Sequence, residues 1–325
     1  MPKRRLKELL KDGLLLIHKI LLRLKISAMP VHYYSPVPDI NKLSKTRSAW
    51  ARESYLTGVA FNLDEQCENL VKICQPFEGE FRGNQSYLEA VATGWGPGFG
   101  YIEAQALHGF IRYFKPKQIV EVGAGVTTYC MLQALTLNQN ETSTKSAMTS
   151  IEPNPSDPLR RAPVKLIAQP IQTVEYNIFE SLEKDDLLFI DSSHAVKTGS
   201  DVNFLILEVL PRLKHGVLIH FHDIFLPYDY RPDILCSFFD WQETALLHAF
   251  LIHNQTVEVL FCMTYIHYKR PEALRQVFPE YRPFEIPSGL VSGRATSKLH
   301  LQDDLGQHFP ASLFLRIRET SLKLA

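Results

Sequence analysis

Between residues 117 and 317, short apolar runs alternate with longer segments of mixed polarity, and this alternation is the dominant pattern of the chain. Seven runs have the length and composition of buried strands, at residues 117–122, 146–153, 165–169, 186–191, 216–223, 257–266 and 312–317. Segments with helical periodicity separate several of them, at residues 127–135, 201–213 and 241–253. Strands that alternate with helices form a doubly wound, mostly parallel sheet. The pattern therefore predicts an α/β, Rossmann-like fold of about seven strands.

The first hundred residues are patterned differently and predict a helical N-terminal extension. In order, they contain a basic amphipathic helix at 1–27, an extended proline-containing segment at 28–48, helices over 49–92 with a turn near residues 79–83, a glycine-rich loop at 94–100 and a helix over 101–114. We predict three regions: the basic helix at 1–27, a cap region at 28–94 and a ligand-binding α/β domain at 95–325.

Charge and cysteine content narrow the classes of protein to be considered. Basic and acidic residues both number 35, so no net charge draws the chain to nucleic acid, and we predict no nucleic-acid partner. The five cysteines form no C-x-x-C pair, which argues against a disulfide framework or a structural zinc site. We therefore expect a reducing compartment and a cytoplasmic protein. Its oligomeric state is open, with a homo-oligomer as one alternative.

The basic segment 1–27 raises the question of a membrane. Its apolar run Gly13–Ile17 is interrupted by His18 and Lys19, so it is too short to span a bilayer. A basic amphipathic helix can instead lie on an anionic surface, which would give the chain a peripheral contact with the inner face of a membrane. The same leucines can also pack on the helix's own domain or on a partner, and the pattern leaves both alternatives open.

The first candidate site is the turn after the first strand, which reads Glu121-Val-Gly-Ala-Gly-Val-Thr-Thr128. Gly123 and Gly125 let the backbone turn sharply and let a ligand approach closely. The dinucleotide fingerprint has a third glycine where this chain has Thr128. The carboxylate of Glu121 would repel a pyrophosphate but suits a ligand that carries an ammonium group. A tight connection between strand and helix has the same appearance, so the turn alone decides little.

A second candidate is Glu152, at the tip of the second predicted strand. In this fold a carboxylate at that position accepts hydrogen bonds from ribose hydroxyls. Glu152 follows Glu121 by 31 residues, a longer interval than usual, and we expect the polar stretch 138–147 to hold the surplus as a loop. The alternative is a solvated loop carboxylate without a ligand.

Two polar clusters follow the fourth and fifth predicted strands, Asp191-Ser-Ser-His194 and His220-Phe-His222-Asp223. We expect these strands to be neighbours across a switch point, where open α/β sheets bind ligands. Asp191, His222 and Asp223 can then converge on one divalent cation. Carboxylate oxygens favour Mg²⁺ or Mn²⁺, and an imidazole shifts the preference toward Mn, Fe, Ni or Zn.

The remaining two histidines of these clusters have different expected roles. His194 points into the same cleft, and an ordinary imidazole pKa of about 6.5 suits a general base for a hydroxyl proton. His220 is predicted to be a hydrogen-bonded core residue, because a single histidine on an apolar strand usually is one.

In combination, these motifs resemble those of class I S-adenosylmethionine-dependent methyltransferases, in particular the branch of macrolide-sugar O-methyltransferases and uncharacterised bacterial relatives. The resemblance covers about residues 95–320 and rests on EVGAGVTT, IEP, FIDSSH and HFHD. It implies a methyltransferase domain at 95–325 whose last strand is antiparallel. It also implies that S-adenosylmethionine is bound by Glu121, Gly123, Ala124, Gly125, Thr127, Glu152 and Asp191.

The resemblance further implies a metal site and a base. Mg²⁺ or Mn²⁺ would be bound by Asp191, His222 and Asp223, and His194 would be the general base. Those enzymes usually have a carboxylate where this chain has His222.

The sequence thus predicts O-methylation of a hydroxyl group on a small molecule or glycan, assisted by a divalent metal. Two alternatives are a nicotinamide-dependent oxidoreductase on a Rossmann-like sheet and a non-catalytic binding protein that retains the fold. The absent third glycine and Glu121 argue against the first alternative. The retained set of Asp191, His194 and Asp223 argues against the second.

Overall fold

The computed structural model describes residues 3–96, 98–237, 239–291 and 306–319, and the chain divides into two compact units, residues 1–50 and 51–325. The first unit contains helices α1 (Lys3–Arg23), α2 (Ile40–Lys45) and α3 (Arg47–Trp50). The helices of the second unit are α4 (Leu63–Cys74), α5 (Glu78–Phe81), α6 (Gln85–Ala92), α7 (Tyr101–Phe114), α8 (Val126–Thr142), α9 (Asp157–Arg160), α10 (Asn177–Glu180), α11 (Asp201–Phe204), α12 (Glu243–Leu251), α13 (Met263–Lys269) and α14 (Pro271–Val277). Its strands are β1 (Gln118–Val122), β2 (Ala147–Ile151), β3 (Lys165–Ile167), β4 (Leu187–Ile190), β5 (Leu218–Phe221), β6 (Val257–Cys262) and β7 (Leu313–Ile317).

The seven strands form one sheet in the order β3-β2-β1-β4-β5-β7-β6. The pairs among β1 to β5 are parallel, and β7 runs antiparallel to both β5 and β6. The predicted doubly wound sheet with an antiparallel last strand is therefore confirmed. The strand order reverses between β1 and β4, so the expectation that β4 and β5 face each other across the switch point is wrong, although the two strands are neighbours.

Helices cover both faces of the sheet, because alternate residues of each central strand point to opposite sides. Ile119 and Phe189 belong to a core shared with α4, α7 and α8. Val120 and Leu188 belong to a second core shared with α10 and α12. Each such side chain contributes roughly 1.5–3 kcal/mol by leaving water. The two cores hold the carboxyl ends of β1, β2, β4 and β5 at one edge of the sheet.

Two predicted elements in the second half of the chain have wrong boundaries. The sixth strand ends at Cys262 instead of residue 266, and α13 continues the apolar run as a buried helix. An apolar run by itself does not distinguish a strand from a buried helix. The predicted helix 201–213 is divided into α11, a π-helical turn at Leu205–Val209 and a 3₁₀ turn at Leu210–Arg212.

The predicted loop 138–147 is also shorter than expected, because α8 continues through residue 142. Asn138 is buried in that helix, and its amide donates to the Ile111 carbonyl at 3.0 Å. A polar residue that appeared to mark a loop thus makes a contact with α7.

The helices before residue 93 differ from the prediction in two places. Residues 28–48 are not extended throughout, since Asp39 caps α2 by accepting hydrogen bonds from the N–H groups of residues 41 and 42. Residues 51–62 are not helical; α4 begins only after Asn62, whose side chain caps it. The predicted helix at 101–114 is confirmed by α7. Of the predicted helix 1–27, α1 covers Lys3–Arg23, residues 24–27 are not helical, and residues 1 and 2 lie outside the described residues. Described residues of the glycine-rich loop connect α6 to α7. Among the described helices, none combines the length and the apolar character needed to cross a membrane.

Candidate active site

The turn between β1 and α8 packs closely against Asp191, the residue that follows β4. Gly123 has a φ of 79°, and its N–H donates to the Ile151 carbonyl at 3.0 Å. A Cβ at this position would lie 1.8 Å from the carbonyl oxygen of Asp191, so only glycine fits. Gly125 precedes the first residue of α8, and a Cβ there would lie 3.2 Å from the Trp95 carbonyl. The turn therefore brings bare backbone and a helix N-terminus to the cavity edge.

Glu121 lies under this turn and is completely buried. Its two carboxylate oxygens accept hydrogen bonds from the hydroxyls of Thr127, Thr128 and Ser150, each at 2.7 Å. Burial raises the pKa of Glu121 to about 7, although the three hydroxyl donors partly offset this effect. Glu121 thus connects β1, β2 and α8 from below, and the predicted contact with the methionine part of a cofactor stays a prediction.

Glu152 forms part of the wall of two adjoining cavities. Its Oε1 accepts a hydrogen bond from the Asn154 N–H at 2.8 Å, and its Oε2 accepts one from the Ala124 N–H at 3.4 Å. The larger cavity, of about 710 Å³, extends from residues 123–127 to Asp223. The smaller, of about 490 Å³, lies between the end of β2 and residues 170–172. Both volumes are in the range of small-molecule sites.

Four polar side chains surround one point at the ends of β4 and β5. Asp191 Oδ1 lies 3.1 Å from His222 Nδ1 and 3.4 Å from His194 Nε2. Asp223 Oδ2 lies 3.7 Å and 3.6 Å from the same two nitrogens. Asp191, His194 and His222 each offer one ligand atom within 4.8 Å of the other two. We call these four residues the histidine cluster.

The backbone around the histidine cluster is both fixed and strained. The Asp191 N–H donates to the Val122 carbonyl at 2.8 Å, and the His222 N–H donates to the Ile190 carbonyl at 3.0 Å. His194 and Asp223 have φ values of 57° and 56°, which are uncommon for residues other than glycine. Strain of this kind persists where the surrounding structure enforces it, and it is frequent at functional sites.

A glutamate that is 1% exposed lies behind each imidazole of the cluster, and among the described residues only the ring of His194 is hydrogen-bonded to its glutamate. His194 Nδ1 lies 2.7 Å from Glu243 Oε2, on α12. His222 Nε2 lies 3.5 Å from Glu103 Oε1, on α7. A carboxylate on the rear nitrogen orients the ring and leaves the front nitrogen for a ligand, an arrangement typical of histidines that bind metals.

The charges of the histidine cluster depend on one another. Burial lowers the pKa of His194, but hydrogen bonds to Asp191 and Glu243 outweigh it and raise that pKa to about 10. Burial is likewise outweighed at His222, where the charges of Asp191, Asp223 and Glu103 raise the pKa well above its usual value. Burial opposes the ionised form of Asp191, but the two histidines hold its pKa below the ordinary range. A divalent cation could therefore replace the two imidazolium protons.

His220 stands apart from this cluster and confirms its predicted core role. Its ring stacks on Phe189 with centroids 4.4 Å apart and planes at 4°. Its Nε2 lies 3.0 Å from the Ser312 hydroxyl, and the residue is fully buried.

Aromatic and charged side chains form the outer wall of the larger cavity. The Trp241 ring centroid lies 4.4 Å from that of His194 and 3.9 Å from the Arg231 guanidinium. Arg231 also pairs with Asp233 at 2.5 Å. Phe225, Phe239, Asp240 and Phe309 contribute to the same wall.

The structure brings all the predicted site residues except Glu121 to the cavity walls or the histidine cluster. Sequence reasoning missed Glu103, Glu243, Trp241 and Arg231. A signal for the two glutamates was available, because each is the one acid in a largely apolar segment, YIEAQALHGF and WQETALLHAF. A buried charge needs a partner, so an acid at such a position indicates a partner elsewhere in the chain.

Comparisons with known proteins bear on this edge of the sheet. The family profile described as a methyltransferase domain matches residues 120–224, the interval that contains the glycine turn, Glu152 and the histidine cluster. An uncharacterised protein of Archaeoglobus fulgidus is 30% identical over 167 residues, which cover 48% of this chain and 74% of that protein. Residues 120–224 of the chain therefore form a methyltransferase domain of this family. Among solved structures, a candidate methyltransferase from Thermobifida fusca is similar over 84% of this methyltransferase and 98% of its own chain, with 8% identity and a TM-score of 0.31. The narrower branch of macrolide-sugar enzymes stays a prediction.

Proposed function

We propose that this methyltransferase transfers the methyl group of S-adenosylmethionine to a hydroxyl group on a small molecule or glycan, assisted by a divalent metal ion. The observation that carries the proposal is the position of Asp191. Asp191 lines both cavities beside the glycine turn, and its carboxylate also belongs to the histidine cluster. A methyl donor and a metal-bound acceptor would therefore meet at one carboxylate.

The residues around the glycine turn fit a cationic adenosyl ligand. The carboxylates of Glu152 and Asp191 flank the turn, where they would attract a sulfonium or ammonium group and repel the pyrophosphate of a nicotinamide cofactor. Glu152 would accept hydrogen bonds from the ribose hydroxyls, and the smaller cavity beside Ile171 would bind the adenine ring. The Ser192 hydroxyl is buried without a hydrogen-bond partner among the described residues, so a ligand could supply one.

The histidine cluster fits a metal with nitrogen and oxygen ligands. Ligand atoms about 2.1 Å from one metal ion lie roughly 3.0–3.4 Å apart in tetrahedral or octahedral arrangements. The four separations between nitrogen and oxygen here run from 3.1 to 3.7 Å. Asp191, His222 and Asp223 would hold the ion as predicted, with His194 as a fourth ligand. Of the two metals predicted from the sequence, two imidazoles favour Mn²⁺ over Mg²⁺.

When bound, the methyl donor supplies an electrophilic methyl on a positively charged sulfur, and the metal supplies a Lewis acid that lowers the pKa of a hydroxyl group. The protein's own residues contribute orientation. The glycine turn and Glu152 would fix the donor, and the histidine cluster would fix the acceptor oxygen in line with it. Orientation of this kind is worth up to ~7–11 kcal/mol of the barrier.

The outer wall of the larger cavity would give the acceptor site its shape. Trp241 and Phe309 offer flat apolar faces, and Asp240 and Arg231 offer polar groups, a combination that suits a ring bearing hydroxyls. We therefore keep a sugar or another hydroxylated ring as the expected acceptor.

We assign His194 to the metal rather than to proton abstraction. With its pKa raised to about 10, His194 retains its proton at neutral pH while no metal is bound. If a metal were bound, His194 would hold it through Nε2, while Nδ1 would keep its contact with Glu243. In neither state is the ring a free base.

Thermal unfolding of the full chain tests the methyl donor. S-adenosylmethionine, S-adenosylhomocysteine, NAD⁺ and NADP⁺ are each added with and without Mn²⁺. A ligand at about 100 times its Kd stabilises the folded state by ~2.7 kcal/mol, which gives a measurable rise in Tm. We expect S-adenosylmethionine and S-adenosylhomocysteine to stabilise the chain and the two nicotinamide cofactors to have no effect. Stabilisation by NAD⁺ without stabilisation by S-adenosylmethionine or S-adenosylhomocysteine would contradict the proposal.

The variant His194→Ala separates the two roles of this residue. As a ligand, His194 is required for metal binding, so the variant should lose bound Mn²⁺ by elemental analysis while it still binds S-adenosylhomocysteine. If His194 were instead a general base, the variant would keep its bound metal and its turnover would fall by ~10²–10⁴-fold. The matched control is His248→Ala, which removes a histidine that pairs with Asp229 at 2.7 Å outside the cluster.

A further inference from the structure

We propose that residues 10–40 of the first unit, here called the anchor segment, dock this protein on an anionic lipid bilayer. The observation is an uneven distribution of exposed apolar side chains. Of the 22 large hydrophobic side chains that are exposed among the described residues, 15 lie in the anchor segment. Exposed apolar surface of this density marks an interaction site. The inference does not depend on the proposed methyl transfer.

One face of helix α1 carries three of these side chains. Leu10, Leu14 and Ile17 follow the spacing of a single helix face and are 59%, 47% and 53% exposed. Lys11 and Lys19 lie on the other side of the helix, as their sequence positions require. A helix with an apolar face of this kind and lysines on the opposite side suits a membrane interface, where the apolar face would lie among the acyl chains.

The charge of the first unit selects the kind of membrane. Residues 1–50 contain 11 basic and 3 acidic residues, whereas residues 51–325 contain 24 basic and 32 acidic residues. The zero net charge of the chain therefore conceals opposite charges on the two units. Each lysine or arginine near an anionic surface strengthens membrane binding about fivefold. The same surface would repel the second unit, so binding should depend on the first.

Lipid fits the anchor segment better than two other partners do. Nucleic acid would attract the basic residues but offers no apolar surface for the leucines. A second copy would cover the leucines but bring two strongly basic units together. An anionic bilayer would bind the basic residues through its headgroups and the leucines through its acyl chains. It would also suit Tyr33 and Tyr34, which are 91% and 84% exposed, because tyrosine is enriched where membrane meets water.

Co-sedimentation of the full chain with vesicles tests this inference. We expect binding to phosphatidylglycerol–phosphatidylcholine vesicles to be at least ~10-fold tighter than binding to pure phosphatidylcholine, and to weaken as salt increases. The triple variant Leu10→Glu, Leu14→Glu, Ile17→Glu should lose at least ~10-fold of this binding. The matched control Leu88→Glu, Leu137→Glu, Leu207→Glu introduces the same charges at exposed leucines of the second unit and should bind as the wild type does.

A second variant keeps the test valid if the first alters helix α1. Neutralising three basic residues of that helix, in Lys11→Gln, Lys19→Gln, Arg23→Gln, should weaken binding to anionic vesicles by ~100-fold and leave helix content by circular dichroism unchanged. The inference is overturned if the wild type ignores anionic vesicles, or if both α1 variants still bind them. It is also overturned if light scattering shows that the leucine substitutions dissolve an oligomer while vesicle binding stays absent.

Discussion

Glu121 and Asp191 are both carboxylates at the carboxyl edge of the same sheet, on the neighbouring strands β1 and β4 or directly after them, and their surroundings differ in kind. Three neutral hydroxyls occupy the oxygens of Glu121, each at 2.7 Å. Asp191 instead faces two imidazoles at 3.1 and 3.4 Å, beside a second aspartate. The first carboxylate is complete within the protein, whereas the second belongs to a charged group that a metal could complete.

This difference indicates that, along the carboxyl edge of the sheet, Glu121 supports the structure and Asp191 is available for binding. Short neutral hydrogen bonds fix a shape, because they leave nothing for a ligand to satisfy. Clustered charges store electrostatic free energy that a bound cation can release, and Glu243 Oε1 in the same region has no hydrogen-bond partner among the described residues. We therefore expect substitutions near Glu121 to change stability and substitutions around Asp191 to change metal binding.

The largest expected effect on stability comes from Gly123→Ala. The new Cβ would lie 1.8 Å from the Asp191 carbonyl at a φ of 79°, so the turn must move. We expect the free energy of unfolding, measured in urea, to fall by roughly 3–5 kcal/mol, and binding of S-adenosylhomocysteine to be lost.

The matched control for this substitution is Gly83→Ala. Gly83 has a φ of 74°, but a Cβ added there would have no heavy atom within 4 Å, so this variant isolates the backbone effect, about 1 kcal/mol. Equal losses for the two variants would show that the contact between the turn and β4 is unimportant.

The next effect is a pH dependence that belongs to Glu121. Its carboxyl has a pKa raised to about 7 by burial, so between about pH 4.5 and 7 the folded chain holds a proton that the unfolded chain releases. Stability should therefore fall as pH rises through this window, by up to about 3 kcal/mol. Glu121→Gln removes the titration and should flatten this part of the curve of unfolding free energy against pH.

Glu175→Gln, at an exposed position, serves as the control and should leave the pH curve unchanged. If Glu121→Gln and the wild type lose the same stability between pH 5 and 8, another group is responsible.

The smallest of these effects concerns the glutamate behind His194. Glu243→Gln keeps the shape of the side chain but removes the charge that lies 2.7 Å from His194 Nδ1. We expect Mn²⁺ affinity, measured by calorimetry, to fall by ~10–100-fold, with S-adenosylhomocysteine affinity unchanged. The control Glu141→Gln removes a carboxylate paired with Arg112 and Lys115, away from the cluster, and should leave metal affinity unchanged. An affinity that Glu243→Gln also leaves unchanged would show that Glu243 does not support His194 as a ligand.

Sequence reasoning located the strand ends and their polar residues because those signals are local. Gly123, Glu152, Asp191 and His222 each follow an apolar run within one or two residues, so the topology of the sheet brings them to one edge. Boundaries failed where a distant contact decides them. Asn138 remains helical because of its bond to Ile111 on α7, a partner that the local pattern does not specify.

The glutamates behind the histidines were missed for the same reason. Glu243 is 49 residues from His194 along the chain, and Glu103 precedes the first strand of the sheet altogether. Their pairing is a property of helix packing, which periodicity predicts only as an apolar face. Glu121 shows the converse, since its position in the motif was evident but the direction of its side chain depended on Ser150 of the next strand.

Photochemical labelling with S-adenosylmethionine carrying a radioactive methyl group would locate the methyl-donor site on the chain. After irradiation and trypsin digestion, we expect label in peptides 118–145, 146–160 or 185–197, which contain the glycine turn, Glu152 and Asp191. The label should be displaced by S-adenosylhomocysteine and not by NAD⁺, and it should be reduced in Glu152→Gln. Label confined to other peptides, or displaced only by NAD⁺, would contradict a methyl-donor site at this edge of the sheet.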